Sequence, residues 1–180
     1  MINQQWTLFL DRDGIINERI LGGYVQTKEQ FIFKEDFLES IPVFRANFGK
    51  IIMVTNQQGI AKEIMNETEL QLVHQYLLDV LNSKGIHIDG IYYCPHLQNS
   101  DCQCRKPDIG MAQQAQKDFP DIDFKKSLMI GDSMSDILFG KRCGMVTALV
   151  DASLSQLPLD TVAVPDYYVR NLLELTSLIF

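Results

Sequence analysis

Residues 7–14 read Thr-Leu-Phe-Leu-Asp-Arg-Asp-Gly, a short apolar run that stops at two carboxylates two positions apart. A continuous apolar run of this length is typical of a strand buried on both faces, so Thr7–Leu10 is predicted to be a strand. Asp11 and Asp13 follow its carboxyl end, where both can face one pocket. Paired carboxylates can bind a hard cation such as Mg²⁺, and a carboxylate can attack phosphorus. Taken alone, the pair is more typical of a solvated turn than of a catalytic site.

Strand and helix patterns alternate along the rest of the chain. Further strands are predicted at Phe31–Phe33, Lys50–Val54, Gly90–Tyr93, Ser127–Ile130, Val146–Val150 and, at an edge, Tyr167–Val169, and helices at Glu67–Ser83, Gly110–Phe119, Ser135–Cys143 and Asn171–Leu178. Another helix ends near Phe48–Gly49, and because of Pro42 it either begins near Ser40 or is kinked. Residues 151–165 are predicted to form a loop. The alternation predicts an α/β fold with a doubly wound parallel sheet, in a single domain over residues 1–180.

Composition and charge narrow the class of protein. Of 180 residues, 46% are hydrophobic and 22% charged, as in ordinary globular domains. No run approaches the ~18 apolar residues of a membrane helix, and the N-terminus lacks the pattern of a secretory signal. A net charge of −7 argues against a nucleic-acid partner. We therefore expect a cytoplasmic monomer that binds neither membranes nor nucleic acid, and whose pocket takes a small molecule.

Polar side chains follow the ends of other predicted strands. They are Thr55, Asn56, Gln57 and Gln58 after one strand, Arg105 and Lys106 after the cysteine-containing loop, and Asp132 and Asp136 near the end of a third. Hydroxyl, amide and cationic groups are the donors that a phosphoryl group needs. Asp136 could face the same metal as Asp132, or it could stabilise the start of the following helix. Because parallel strands present their carboxyl ends at one edge, these groups are expected to converge there.

Four potential metal ligands lie within eleven positions: Cys94, His96, Cys102 and Cys104. Three thiolates and one imidazole suit a closed tetrahedral Zn²⁺ site, and closed sites are structural rather than catalytic. Reduced cysteines or a disulfide are the alternatives. A bound Zn²⁺ would order a polar loop that leads directly into Arg105 and Lys106.

Together these segments resemble the haloacid dehalogenase (HAD) superfamily of phosphatases. LDRDGIIN, VTNQQGIA, YYCPH, CQCRKPDIGM and MIGDS are similar to its branch of histidinol-phosphate phosphatases and D-glycero-D-manno-heptose 1,7-bisphosphate phosphatases. The resemblance covers residues 6–150. It implies a Rossmann-like core without a large cap domain, a zinc-binding loop, and recognition of a small phosphorylated metabolite by loops.

The resemblance also implies roles for individual residues. Asp11 would be the nucleophile and Asp13 the general acid and base. Mg²⁺ would be held by Asp11, the Asp13 backbone carbonyl and Asp132, and the phosphoryl group by Thr55 and Lys106. The residues expected to bind substrate are Gly23, Tyr24, Asn56, Gln57, Gln58 and Arg105. Zn²⁺ would be held by Cys94, His96, Cys102 and Cys104.

The implied reaction is Mg²⁺-dependent removal of the 7-phosphate of heptose 1,7-bisphosphate. The short separation of His96 from Cys102 is more typical of the alternative, a histidinol-phosphate phosphatase. Ser133 replaces an expected cation, and the loop from Arg19 to Gly22 is longer than in the branch. The net charge disfavours a nucleic-acid 3′-phosphatase. The three acids Asp11, Asp13 and Asp132 disfavour a non-catalytic binding module stabilised by zinc. His74 has no motif partner and receives no role.

Overall fold

A computed structural model of the chain describes residues 1–151 and 163–180. Within these residues six strands form one sheet: β1 (Thr7–Leu10), β2 (Lys50–Asn56), β3 (Gly90–Cys94), β4 (Ser127–Gly131), β5 (Val146–Val150) and β6 (Tyr167–Val169). The helices are α1 (Glu35–Asn47), α2 (Glu67–Ser83), α3 (Gly110–Asp118), α4 (Met134–Cys143) and α5 (Leu172–Ile179), with short 3₁₀ turns at Lys28–Gln30 and Phe124–Lys126.

All neighbouring strands are parallel, in the order β3-β2-β1-β4-β5-β6, which confirms the predicted doubly wound sheet. The chain proceeds outward from β1 to β3 and, after crossing back, outward from β4 to β6. The order therefore reverses between β1 and β4, and open sheets of this type bind ligands in the crevice at that reversal. Asp11 follows β1 and Asp132 follows β4. The backbone N–H of Asp11 donates to the carbonyl of Ile130 at 3.0 Å.

Helices cover both faces of the sheet. Leu8 and Leu10 of β1 pack in one apolar cluster with α1, α2 and α5, whereas Phe9 packs in a second cluster with α3 and α4. Alternate side chains of a strand point to opposite faces, which explains why both faces of β1 are apolar and why the strand reads as an uninterrupted apolar run. The strand ends that carry the polar groups are thus anchored on both sides.

Helix α1 begins at Glu35, five residues before the expected start near Ser40, and Pro42 lies inside it. Proline cannot donate a backbone hydrogen bond, which is why the sequence favoured a later start. In the structure Phe37 and Ile41 are buried in the core cluster. Burial of these side chains offsets the missing hydrogen bond, so tertiary packing decides the start of the helix.

The predicted strand at Phe31–Phe33 is wrong. Phe33 makes an isolated bridge with Asn17, and no ladder forms. The two aromatic rings instead stack edge to face at 4.9 Å, and Phe31 also contacts Tyr76 of α2 at 6.1 Å. The other strands and helices lie within about two residues of their predicted bounds, and Tyr167–Val169 is the expected edge strand. Of the predicted loop at 151–165, residues 152–162 lie outside the described part of the chain.

The longest described connections at the carboxyl edge of the sheet are residues 11–34 and 95–109. In the described ranges no additional domain covers this edge, in agreement with the expected absence of a large cap. None of the described helices combines the length and the apolar character that a bilayer span requires. The two connections therefore form the walls around the strand ends.

Candidate active site

The carboxyl edge of the sheet opens into a cavity of about 640 Å³. Most of the residues singled out from the sequence line it: Asp11, Asp13, Gly23, Tyr24, Thr55, Asn56, Gln58, Arg105 and Lys106. Its wall also includes Arg19, Lys62 and Gln98, to which sequence reasoning assigned no binding role. These three residues belong to loops, where no motif marks them, so only their place around the cavity identifies them.

Lys106 is buried in the floor of the cavity, where its ammonium group joins three parts of the fold. Its Nζ lies 2.7 Å from Asp11 Oδ1 and 2.6 Å from Asp136 Oδ1, and it donates to the Val54 carbonyl at 2.8 Å. Burial lowers the pKa of Lys106, but the two carboxylates outweigh burial and hold the pKa above its ordinary value. Lys106 is therefore a permanent cation beside Asp11.

Asp136 has two functions at the start of α4. Its Oδ2 accepts hydrogen bonds from the backbone N–H of Ser133 at 3.1 Å and from the Ser133 hydroxyl at 2.6 Å. This contact agrees with the interpretation that Asp136 stabilises the helix start, while Oδ1 pairs with Lys106. Carboxylate oxygens of Asp11, Asp132 and Asp136 lie within 4.8 Å of one another. Three acids are thus concentrated in one crevice.

The carboxylate of Asp13 is held by several donors. Nη2 of Arg12 reaches both carboxylate oxygens, at 3.0 and 2.9 Å, and the amides of Asn17 and Gln57 donate at 2.9 and 2.8 Å. Burial raises the pKa of Asp13, but the Arg12 guanidinium and these hydrogen bonds outweigh burial and hold the pKa below its usual range. In the free protein Asp13 is therefore an oriented carboxylate, suited to accept a proton.

The polar side chains at the end of β2 and just after it make different contacts. Gln57 is buried and outside the cavity lining, with its amide donating to Asp13 and to the Thr55 hydroxyl at 2.8 Å each. Its position supports a role behind Asp13 and Thr55 rather than the expected direct contact with substrate. Asn56 exchanges two hydrogen bonds with the backbone of Lys106, at 3.0 and 3.1 Å. Asn56 thus fixes the segment that carries the cation.

Arg19 lies across three oxygen atoms of the cavity wall. Its Nη2 is 2.6 Å from Asp132 Oδ1, 3.1 Å from the Asp13 carbonyl oxygen and 3.9 Å from Asp11 Oδ2. These are the residues to which the resemblance assigns Mg²⁺. Because one cationic nitrogen reaches all three oxygens, they converge on a position that suits a cation, and oxygen ligands are those that Mg²⁺ prefers.

The acids in this crevice repel one another. Burial, opposed by Lys106 and reinforced by neighbouring Asp136 and Asp13, raises the pKa of Asp11 to about 6. Burial likewise raises the pKa of Asp132 to about 7, together with Asp11 and against Arg19. A divalent cation placed among these oxygens would favour the ionised forms of both acids.

The four expected zinc ligands lie together beside the cavity, with their ligand atoms within 4.8 Å of one another. Cys94 Sγ is 3.7 Å from Cys102 Sγ, 3.6 Å from His96 Nδ1 and 3.0 Å from Cys104 Sγ. Ligands held at the usual distances from a tetrahedral Zn²⁺ lie roughly 3.4–3.8 Å apart, so the first two distances fit such an ion. Burial raises the pKa of the Cys94 thiol, so its thiolate form needs a cation beside it.

Two cations of the wall have no carboxylate partner among the described residues. Lys62 Nζ lies over the ring of Tyr24, 5.5 Å from its centroid. Arg105 donates to the backbone carbonyl of His96 at 3.3 Å. By contrast, Lys106 and Arg19 are each paired with acids. An anionic group of a ligand can therefore approach Lys62 and Arg105 without first breaking an ion pair.

Comparison with known proteins agrees with this site. Residues 103–175 match the HAD-hydrolase-like family. A D-glycero-alpha-D-manno-heptose-1,7-bisphosphate 7-phosphatase from Mycobacterium bovis is 38% identical over 133 residues, which cover 74% of this chain and 70% of the relative. The D-glycero-beta-D-manno-heptose-1,7-bisphosphate 7-phosphatase from Pasteurella multocida is 34% identical over 178 residues, which cover 96% of this chain and 95% of the relative.

Among solved structures, the D,D-heptose 1,7-bisphosphate phosphatase from B. bronchiseptica, complexed with magnesium and phosphate, aligns with a TM-score of 0.81. Its identity is 25%, and the alignment covers 96% of this chain and 97% of that structure. The parallel sheet and the acidic crevice at its reversal point define a HAD-type phosphatase, a phosphoric monoester hydrolase. The chain belongs to the HAD superfamily, in the family that contains these heptose bisphosphatases.

Asp136→Ala is expected to lower the free energy of unfolding by about 3 kcal/mol, because buried Lys106 loses one of its two carboxylate partners and Ser133 loses its acceptor. Urea denaturation followed by circular dichroism measures the change. Asp79→Ala is the matched control: this exposed acid on α2 accepts a hydrogen bond from Gln75, and its loss should cost less than about 0.5 kcal/mol. Equal effects of the two substitutions would contradict the importance of the buried pair.

Proposed function

We propose that this chain removes the 7-phosphate of D-glycero-D-manno-heptose 1,7-bisphosphate, as a monomeric, single-domain enzyme of the cytoplasm. The observation that carries the proposal is the match over almost the whole chain to a relative named for this activity. Relatives named for the alpha and the beta sugar match at 38% and 34% identity, so the proposal concerns the heptose irrespective of its anomer. None of the four cysteines forms a disulfide, which is typical of a reducing compartment.

The charge of the cavity supports a substrate with two phosphates. Lys106 is next to Asp11, where the reacting phosphate would lie. Lys62 and Arg105 line the same cavity without carboxylate partners in the described part of the chain. A second phosphate bound by these two cations would place the sugar between Tyr24 and the floor of the cavity, where Lys106 lies. A substrate with one phosphate and a positively charged amine, such as histidinol phosphate, would meet unfavourable charge at that position.

In the first step, a carboxylate oxygen of Asp11 attacks phosphorus and the bond from phosphorus to the sugar oxygen breaks. Asp13 gives its proton to the departing sugar oxygen, which leaves as an alcohol. Asp13 is ionised in the free protein, but the negative charge of the bound phosphoryl group raises its proton affinity, so Asp13 takes up a proton from solvent when substrate binds. Lys106 balances the charge that develops on the phosphoryl oxygens.

In the second step, water attacks phosphorus and the bond between phosphorus and Asp11 breaks. Asp13 accepts one proton of this water, Asp11 is freed as a carboxylate and inorganic phosphate is released; once the phosphate has left, Asp13 returns its proton to solvent. The hydrogen bonds from Arg12, Asn17 and Gln57 to Asp13 favour the carboxylate form that this step needs.

The residues present fit Mg²⁺, which would be held by the carboxylates of Asp11 and Asp132 and the backbone carbonyl of Asp13. When bound, the ion supplies positive charge that stabilises the transferring phosphoryl group. Zn²⁺ would be held by Cys94, His96, Cys102 and Cys104, and would order the loop that leads into Arg105.

Phosphate release in the presence of Mg²⁺ is expected to be several hundred-fold more efficient, as kcat/KM, with heptose 1,7-bisphosphate than with histidinol phosphate. The reason is that Lys62 and Arg105 match the second phosphate, and an unmatched charge costs several kcal/mol. Asp11→Asn should abolish release while circular dichroism shows an unchanged fold, because the amide cannot act as the nucleophile. Preference for histidinol phosphate would overturn the substrate, and an active Asp11→Asn variant would overturn the mechanism.

Arg19→Met is expected to tighten Mg²⁺ binding about tenfold, because the guanidinium competes with a metal ion for Asp132 Oδ1 and the Asp13 carbonyl. Isothermal titration of the magnesium-free protein, with its zinc retained, with MgCl₂ measures the change. Lys84→Met is the control, because it removes the same charge from a residue just after α2. This residue lies at the end of the sheet opposite to the cavity. Weaker or unchanged Mg²⁺ binding in Arg19→Met would contradict competition.

Purified protein is expected to contain about one zinc ion per chain, measured by mass spectrometry of the metal. Cys102→Ser should remove most of this zinc and lower the melting temperature, because the loop depends on the ion for its order. Cys143→Ser is the matched control: Cys143 is a free thiol packed against the second core cluster and should leave the zinc content unchanged. A wild-type protein that contains no zinc, and whose melting temperature is the same with and without added zinc, would disprove the metal site.

A further inference from the structure

Behind the cavity, the buried side chains of His74 and Arg12 form a row that ends at Asp13, whose partly exposed carboxylate lies in the cavity wall. Arg12 is the largest fully buried side chain of the described residues. One edge of its guanidinium bonds both carboxylate oxygens of Asp13, at 2.9 and 3.0 Å. Its other edge, Nη1, lies 3.2 Å from Nε2 of His74. The row connects helix α2 to a carboxylate in the cavity wall.

The contact between Arg12 and His74 decides the protonation state of His74. Arginine can only donate hydrogen bonds, so Nε2 of His74 must be the acceptor and the ring must be neutral. Burial and the neighbouring Arg12 together lower the pKa of His74 to about 3, against the raising effect of Asp13. The edge of the ring also packs against Tyr93, with 6.1 Å between ring centroids. His74 is therefore a fixed, uncharged acceptor.

His74 belongs to a helix, whereas the residues that it supports belong to a turn. It lies on α2, between Val73 and Leu77 of the core cluster. Arg12 and Asp13, in contrast, belong to the turn after β1, outside any helix or strand. A bidentate contact transmits orientation, since the carboxylate cannot turn without the guanidinium. The position of His74 thus limits the rotation of Arg12, and Arg12 limits that of Asp13.

We propose that His74 is a positioning residue for proton transfer, which acts through Arg12 to aim Asp13 at the departing sugar oxygen. The inference rests on the proposed function, in which Asp13 protonates that oxygen. His74 touches neither Asp13 nor the cavity lining, so it does not take part in the chemistry itself. It affects only the step in which the direction of the Asp13 carboxylate matters.

The test compares two leaving groups. A sugar alkoxide needs a proton to depart, whereas nitrophenolate departs as an anion, so a defect in the acid should affect only the sugar phosphate. kcat/KM reports formation of the aspartyl-phosphate and excludes the later attack of water. His74→Phe keeps an aromatic ring but removes the nitrogen that accepts the hydrogen bond from Arg12. Its kcat/KM should fall at least tenfold with heptose bisphosphate and less than threefold with p-nitrophenyl phosphate.

His74→Gln should recover most of the activity on the sugar phosphate, because its amide oxygen can again accept from Arg12. If His74→Phe does not fold, His74→Leu carries the same comparison. A purely structural role would lower kcat/KM equally for both substrates. Equal losses, no loss with either substrate, or failure of His74→Gln to restore activity would each overturn the inference.

Asp13→Asn, measured with the same two substrates, separates this inference from the proposed function. A loss confined to the sugar phosphate in Asp13→Asn confirms that Asp13 is the acid. If His74→Phe then shows no such selectivity, only the role of His74 is overturned. If Asp13→Asn lowers kcat/KM equally for both substrates, the proposed role of Asp13 itself fails.

Discussion

The ion pairs of Lys106 with Asp11 and Asp136 are the contacts on which the rest of the site depends. Lys106 is 95 residues from Asp11 along the chain, and its amine is buried. A buried ammonium is stable only with partners, so the two acids and the lysine fix one another. These pairs join the end of β1 to the start of α4 and to the segment after the cysteine cluster. A change in any of the three moves the floor of the cavity.

Asp11 and Asp13, the two acids to which the proposed mechanism assigns the chemistry, occupy different electrostatic environments. Burial raises the pKa of Asp11 to about 6, whereas Arg12 and two amides outweigh burial at Asp13 and hold its pKa below the usual range. In the free protein Asp13 is therefore the stronger acid. A divalent cation beside Asp11 would lower its pKa, and a phosphoryl anion beside Asp13 would raise the pKa of that group. The order of the two pKa values thus depends on the ligands as much as on the fold.

Cations in the site fall into two groups. Lys106, Arg12 and Arg19 are paired with carboxylates and keep the crevice compact. Lys62 and Arg105 have no carboxylate partner in the described ranges and lie on the outer wall of the cavity. The first group supports the chemistry, and the second is available to a substrate. In the proposed function, this division would allow a protein with a net charge of −7 to accept a doubly phosphorylated sugar.

Local sequence was sufficient for features that depend on neighbouring residues. The bounds of β1 and α2, the acid pair Asp11 and Asp13, and the grouping of Cys94 with its three partners all follow from spacing along the chain. Because parallel strands end at one edge, the sequence also predicted that the polar groups converge. Patterns of this kind are local and need no knowledge of packing.

Other features were decided by the tertiary structure. Burial in the core overrides Pro42 in α1, and aromatic packing replaces the expected strand at Phe31. Gln57 faces Asp13 instead of the cavity, and His74 supports Arg12 across 62 positions of sequence. Arg19 pairs with Asp132 across 113 positions. The sequence alone determined which chemical groups the protein has and at which edge they gather, but their partners became known only from the fold, because a contact between distant segments leaves no local pattern.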